Sequence, residues 1–200
     1  MPFADLVGQD LAVSCLERSL DRGRIAHAYL FAGPDGVGKE KAALALAQAL
    51  NCPEASPAPC GSCSTCRRIG EGLHPDVRRV APAGNSIKID QIRALGQEAY
   101  YRPLEGRRKV YLIAEAHKMT EEAANSFLRL LEEPPPYALF ILLTSQPDSL
   151  LPTILSRCQL VPFFPLPLSL LRDKLERELG LARERAVLVA ALAGGSWERA

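Results

Sequence analysis

The sequence predicts an α/β fold: a parallel sheet flanked by helices, organised around a phosphate-binding loop, carrying a cysteine-rich insertion and followed by the start of a small all-α unit. Three observations point there. Apolar runs at 28–31, 109–114 and 139–144 lack polar alternation, which suits strands covered on both faces. Helix-period stretches separate these runs, as parallel crossovers require. Gly33-Pro34-Asp35-Gly36-Val37-Gly38-Lys39 stands between the first run and a helix, where glycine amides and a helix N-terminus can cradle phosphate.

The elements follow in order: a helix over 11–20, strand 28–31, helix 39–50, the insertion at about 51–68, and strand 77–80. Then come helix 90–99, strand 109–114, helix 121–131, strand 139–144, a short helix near Leu151 and strand 159–162. Glu132-Glu133-Pro134-Pro135-Pro136 stops one helix, because proline removes a donor and clashes with the preceding turn. Phe163-Phe164-Pro165-Leu166-Pro167 marks a boundary. Beyond it Ser169 is expected to cap a helix through Leu179, Gly180 to end it, and a second helix to run over 182–193. The predicted division is therefore 1–162 and 163–200.

At 200 residues, 48% hydrophobic and 24% charged, the chain can bury a sizeable core, and no apolar run approaches the ~20 residues of a membrane span. The net charge of +1 gives no global field for nucleic acid. Basic clusters at Arg67-Arg68, Arg78-Arg79 and Arg107-Arg108-Lys109 read as solvated faces or as local DNA contacts.

The loop departs from a working ATPase. In G-x-x-x-x-G-K-[ST] the last hydroxyl is a Mg²⁺ ligand, and here that position is Glu40. Its charge repels a bound polyanion by about 3 kcal/mol per pair at ~5 Å and an effective dielectric of ~20, unless a metal or lysine neutralises it. The second metal contact, an Asp at the end of the 109–114 strand, is replaced by Ala114, with Glu115 next. Gly33, Gly36, Gly38 and Lys39 keep the amide cradle and the lysine, so ATP and Mg²⁺ binding are doubtful and hydrolysis is not expected.

Cys52, Cys60, Cys63 and Cys66 are spaced C-x₇-C-x₂-C-x₂-C among Pro53, Pro57, Pro59 and Gly61, which supply turns. Four thiolates at such spacing suit structural zinc. Disulfides would need an oxidising compartment, and residues 1–10 show no secretory signal. An iron–sulfur pattern would place a fourth cysteine three residues after Cys66. Cys15 is expected to be a buried thiol.

These motifs carry a resemblance. Phe3-Ala4-Asp5-Leu6-Val7-Gly8-Gln9, Arg24-Ile25-Ala26-His27-Ala28-Tyr29-Leu30-Phe31, His74-Pro75-Asp76-Val77, Ile87-Lys88-Ile89-Asp90-Gln91-Ile92-Arg93, the stretch from Ala124 to Pro135, and Ser156-Arg157-Cys158 together resemble the delta-prime family of bacterial DNA polymerase III clamp-loader subunits, within the AAA+ superfamily. The gamma/tau motor family shares most of them, but carries Lys-Ser/Thr and an Asp-Glu pair where this chain has Lys39-Glu40 and Ala114-Glu115.

The resemblance implies a non-hydrolysing subunit of a hetero-oligomeric ring with gamma/tau and delta, acting in the bacterial cytoplasm to load the sliding clamp on primer-template DNA. It implies that Arg157 is a finger reaching the neighbouring subunit's ATP, that Thr144 or Ser145 is the first sensor, and that the four cysteines hold zinc. Gly195-Ser196-Trp197-Glu198-Arg199 puts Glu198 where motor subunits carry arginine, with Arg199 one place later as the candidate second sensor. Residues 163–200 begin a helical lid, and the family's C-terminal collar domain is not among these residues. An active gamma/tau-like ATPase and a zinc-bearing nucleic-acid module remain the alternatives.

Overall fold

The computed structural model describes residues 3, 6–54 and 59–200. Five parallel strands, β1 (Ala28–Ala32), β2 (Val77–Val80), β3 (Lys109–Ile113), β4 (Ala138–Thr144) and β5 (Gln159–Pro162), lie in the order β2-β3-β4-β1-β5. The apolar runs do not alternate because both faces of the sheet are covered. Tyr29, Phe31, Val110, Leu112, Ile141 and Leu143 face one core with α1 (Asp10–Asp21), α2 (Lys39–Asn51) and α3 (Ser64–Gly70). Leu30, Tyr111, Ile113, Phe140 and Leu142 face the other, with α4 (Ile89–Ala99), α5 (Glu121–Glu132) and α6 (Pro152–Leu155). In the second core Phe127 meets Phe140 edge-on at 5.3 Å between ring centres.

A third, smaller core joins α7 (Leu168–Leu179) to α8 (Arg183–Leu192) through Leu171, Leu175, Ala186 and Ala190. Ser169 does not cap α7 as expected. The helix begins two residues earlier, at Leu168 after Pro167, so Ser169 lies in the first turn. α3 was not foreseen; Cys63 caps it by accepting the Cys66 amide, a role that sulfur takes rarely enough to leave no sequence signal. Part of the Phe3 to Gln9 stretch (Ala4 and Asp5) and Pro57 of the insertion lie outside the described residues.

Two buried side chains fix the loop before β3. Asp76 accepts the amides of Leu104, Glu105 and Gly106 at 2.7–2.8 Å, and Asn51 accepts those of Arg107 and Arg108 at 2.8 and 2.9 Å. Burial works against the Asp76 charge, but the three amides outweigh it and hold its pKa below the usual carboxylate value.

α2 crosses on one face of the sheet while α4 and α5 cross on the other. The carboxyl ends of β1 and β4, paired at Ala32 and Thr144, therefore open at a switch point, where ligand crevices form in such sheets.

Candidate functional site

The loop 33–38 lies in that crevice. Gly33 N–H donates to the Thr144 carbonyl at 3.1 Å, tying the loop to β4. Gly36 and Gly38 have φ of 75° and 101°, which glycine alone adopts without strain. Gly38 precedes α2 without a side-chain cap, so the first-turn amides face the crevice as an anion-binding helix end does. The cleft measures about 290 Å³ and is lined by Gly36, Gly38, Lys39, Glu40, Ala114, Glu115, Thr144 and Ser145 among others.

Within it the charges pair with one another. Lys39 is 8% exposed, and its Nζ donates to the carbonyls of Gly33 and Pro34 at 2.6 and 2.5 Å. Burial draws its pKa below the ordinary lysine value, with Asp35 at 3.4 Å opposing. Glu40 meets Arg79 of β2, Nε to Oε1 at 2.7 Å. The repulsion expected between Glu40 and a bound polyanion is thus reduced by an arginine, where the sequence suggested a metal or lysine. Pairing across elements brought residues 40 and 79 together, and neither residue's neighbours signal it.

Ala114 follows β3 directly and is buried, its amide donating to the Val80 carbonyl at 2.8 Å. Glu115 takes a left-handed conformation, φ 49°, and pairs with Lys118. Thr144 is 1% exposed; its Oγ1 shares a hydrogen bond of 3.0 Å with His117 Nδ1 and accepts the Gln146 amide at 3.0 Å. Ser145 lines the cleft beside it. His117 was missed by sequence reasoning, since a lone histidine after Glu115-Ala116 matches no spacing rule.

The chain's last residues close the cleft from above. Trp197 N–H donates to the Gly36 carbonyl at 2.9 Å, and Lys174 Nζ lies 4.2 Å from the centre of the indole. A Cβ on Gly36 would fall 2.1 Å from Ser196 Oγ. Glu198 lines the cleft and Arg199 does not.

Arg157 stands elsewhere. It lies between α6 and β5, before the strand begins, whereas the loop follows the end of the parallel β1, so the two occupy opposite ends of the sheet. Its guanidinium is 36% exposed and reaches Glu132 at 3.0 Å and the Thr153 carbonyl at 3.1 Å. Cys158 beside it is half-buried, and burial pushes its thiol up to about 12. Cys15, expected in the core, is also only half-buried.

Several members of the basic clusters are paired within the chain while still exposed. Arg68 pairs with Glu105, Arg78 with Glu98 and Arg79 with Glu40. Lys109 is 9% exposed and donates to the Glu98 carbonyl, and Arg108 to that of Pro136.

The Sγ atoms of Cys52, Cys60, Cys63 and Cys66 lie within 4.8 Å of one another, with separations of 3.6, 3.9 and 3.9 Å for three of the pairs. A tetrahedron with Zn–S bonds of 2.3 Å has edges of ~3.8 Å, so the donor set fits zinc. The Cys63 amide, with that of Ser62, draws the Cys60 thiol down to about 6, whereas burial pushes the Cys66 thiol up, so the protons of the cluster are held unevenly.

Among known proteins, a family model described as DNA polymerase III, delta subunit, matches residues 8–167. The chain is 46% identical over 167 residues to DNA polymerase III subunit delta' of Bacillus subtilis, covering 84% of this chain and 51% of that one. It is 39% identical over 201 residues to the gamma/tau subunit of Mycobacterium tuberculosis, covering 97% of this chain and 35% of that one. It therefore spans about half or less of the length of these relatives. A gamma-subunit-related protein from Thermotoga maritima superposes with a TM-score of 0.62 at 29% identity, covering 91% of this chain and 58% of that one. The Thermotoga RuvB branch-migration motor shares the fold at a TM-score of 0.63 and 17% identity, covering 96% of this chain and 59% of that one. Among the described residues no helix is long and apolar enough to cross a membrane. An AAA+ sheet with a glycine loop at its switch point, matched over residues 8–167, places the chain in the delta-prime family of DNA polymerase III clamp-loader subunits.

Proposed function

We propose that this chain is a non-hydrolysing clamp-loader subunit that helps load the sliding clamp onto primed DNA and lends Arg157 to the ATP of an adjacent gamma/tau subunit. The observation that carries the reading is the state of its own loop: Lys39 is bound to the carbonyls of Gly33 and Pro34 while Glu40, in the metal-ligand position, is paired with Arg79. Phosphoryl transfer needs Mg²⁺ on a loop hydroxyl and an acidic strand end, and Glu40 and Ala114 provide neither. Arg157, in contrast, is half-exposed and held by one carboxylate, Glu132, beside the Thr153 carbonyl and the Ser156 hydroxyl, so a phosphate oxygen on a neighbouring subunit can replace Glu132 as its partner. In this reading residues 1–162 form the nucleotide-type domain and 163–200 begin the lid, in a cytoplasmic ring with gamma/tau and delta.

The four cysteines would hold a structural zinc that cross-links the insertion. Four protein ligands leave no open position, so it supports no chemistry. One zinc per chain by elemental analysis, lost in Cys66→Ser, is the expected result.

A gamma/tau-like ATPase is the second reading, favoured by the 39% identity to a gamma/tau subunit and by the retained loop lysine. Assaying hydrolysis by the chain alone and with a gamma/tau partner separates the two. The proposal expects no turnover alone and stimulated turnover together; motor-like rates from the isolated chain would sink it.

A further inference from the structure

We infer that the four-cysteine site, beyond cross-linking its own insertion, holds the segment 104–108 in place at the start of β3, so that metal binding and the order of that segment are coupled. The inference rests on the zinc proposed above and on what stands beside the two buried ligands. Cys52 and Cys66 are both 0% exposed, and each lies next to a residue that grips the segment.

Cys52 directly follows Asn51, the last residue of α2. Asn51 is 5% exposed; its Nδ2 donates to the Ala47 carbonyl at 3.2 Å, which leaves Oδ1 to accept the amides of Arg107 and Arg108. Cys66 opens a second route. Two residues on, Arg68 of α3 pairs with Glu105, and the Cys66 carbonyl accepts Gln48 Nε2 of α2 at 2.7 Å, so the two routes are tied to each other. The first has little slack, because a Cβ on Gly106 would fall 2.4 Å from Asn51 Oδ1.

A metal bonded to both thiolates fixes the end of α2 against α3, and with them the two side chains that hold the segment. Asp76, just before β2, grips the amides of Leu104, Glu105 and Gly106 by a route that does not pass through the metal. Loss of metal therefore loosens Arg107 and Arg108 more than the three amides on Asp76. Coupling is reciprocal, so an intact segment contributes to metal affinity as much as the metal contributes to the segment.

The test is amide exchange, followed residue by residue by NMR, on the full chain loaded with zinc and again after a chelator has removed the zinc under reducing conditions. The amides of Arg107 and Arg108 are expected to exchange about tenfold faster or more without metal, those of Leu104 to Gly106 to change less, and those of β1 and β4 to stay protected. Unchanged exchange at Arg107 and Arg108 in a chain that binds one zinc overturns the inference and leaves the zinc reading intact. A chain that binds no zinc overturns both. Where the metal-free chain unfolds altogether, Gly106→Ala decides: it presses on Asn51 without touching a cysteine, and should weaken zinc affinity about fivefold or more in competition with a chromophoric chelator. Leu104→Ala, on a side chain 76% exposed, leaves that affinity unchanged. Equal zinc affinity in the two variants overturns the inference, and Glu105→Ala, which removes the pair to Arg68, replaces Gly106→Ala if the latter does not fold.

Discussion

The two ends of the sheet treat their cations in opposite ways. At the carboxyl end Lys39 is held by loop carbonyls, Arg79 by Glu40, and Lys174 lies over Trp197, so these three positive groups already have internal partners. At the amino end Arg157 is half-exposed with one replaceable carboxylate, and Arg18, Arg22 and Arg24 face an open cleft. The same residue types serve the fold at one end and stand available to a partner at the other. A charge motif in sequence therefore indicates function only once its counter-charges are located.

The largest effect that sharpens this contrast is Arg157→Ala. Hydrolysis by a gamma/tau partner is expected to fall by about 10³-fold or more, the value of a trans arginine, with the melting temperature nearly unchanged because the pair it breaks is exposed. A steady-state ATPase assay of the assembled complex reads it, and a fall below tenfold would erase the distinction between the ends.

Asp76→Ala, at the amino end just before β2, should cost about 3 kcal/mol or more, because three amides lose their acceptor. The same carboxylate gives an acid dependence. Its folded pKa lies below the ordinary value of 3.8, so its contribution is present above that pH and is lost as pH falls through the folded value. His74 acts earlier: burial lowers its pKa from 6.5, with Asp76 opposing, so the unfolded chain binds the proton more readily and stability declines as pH drops below that ordinary value. Denaturant melts from pH 8 to 3 should show both steps, and Asp76→Asn should lose the lower one.

Gly36→Ala comes next, at about 1–3 kcal/mol, since it combines a left-handed φ with a contact 2.1 Å from Ser196 Oγ. Trp197 is the single tryptophan of the chain, so its fluorescence reports whether the terminal segment leaves the loop. The smallest change is expected for Glu40→Gln. Breaking an exposed ion pair with Arg79 should shift stability by about 1 kcal/mol or less, and a larger loss would mean that the carboxyl end is more tightly built than its exposure suggests.

Much of the fold was legible because its signals are local. β2 and β5 fall on the expected residues, and α2 and α5 run one residue longer than expected. The phosphate loop was legible from glycine spacing, and the cysteine cluster from spacing and donor type. What the sequence hid depends on distant pairs: Arg79 against Glu40, His117 against Thr144, and the Gly36–Trp197 bond, separated by 39, 27 and 161 positions. The miss at Ser169 is of another kind. Serine is a good cap, but Pro167, with its fixed φ, already sets the entry to α7, and tertiary packing of Leu171 and Leu175 decides where the first turn starts.

Because Asp76 and Asn51 grip main-chain amides, the strip between Leu104 and Arg108 keeps its shape whatever side chains it displays. Leu104, 76% exposed, contributes nothing to that shape, whereas Gly106 is confined by Asn51 Oδ1, 2.4 Å from where a Cβ would go. The strip is an interchangeable cassette with one immovable slot, and a library randomised at Leu104, Glu105 and Arg107 should yield mostly folded members until Gly106 is touched.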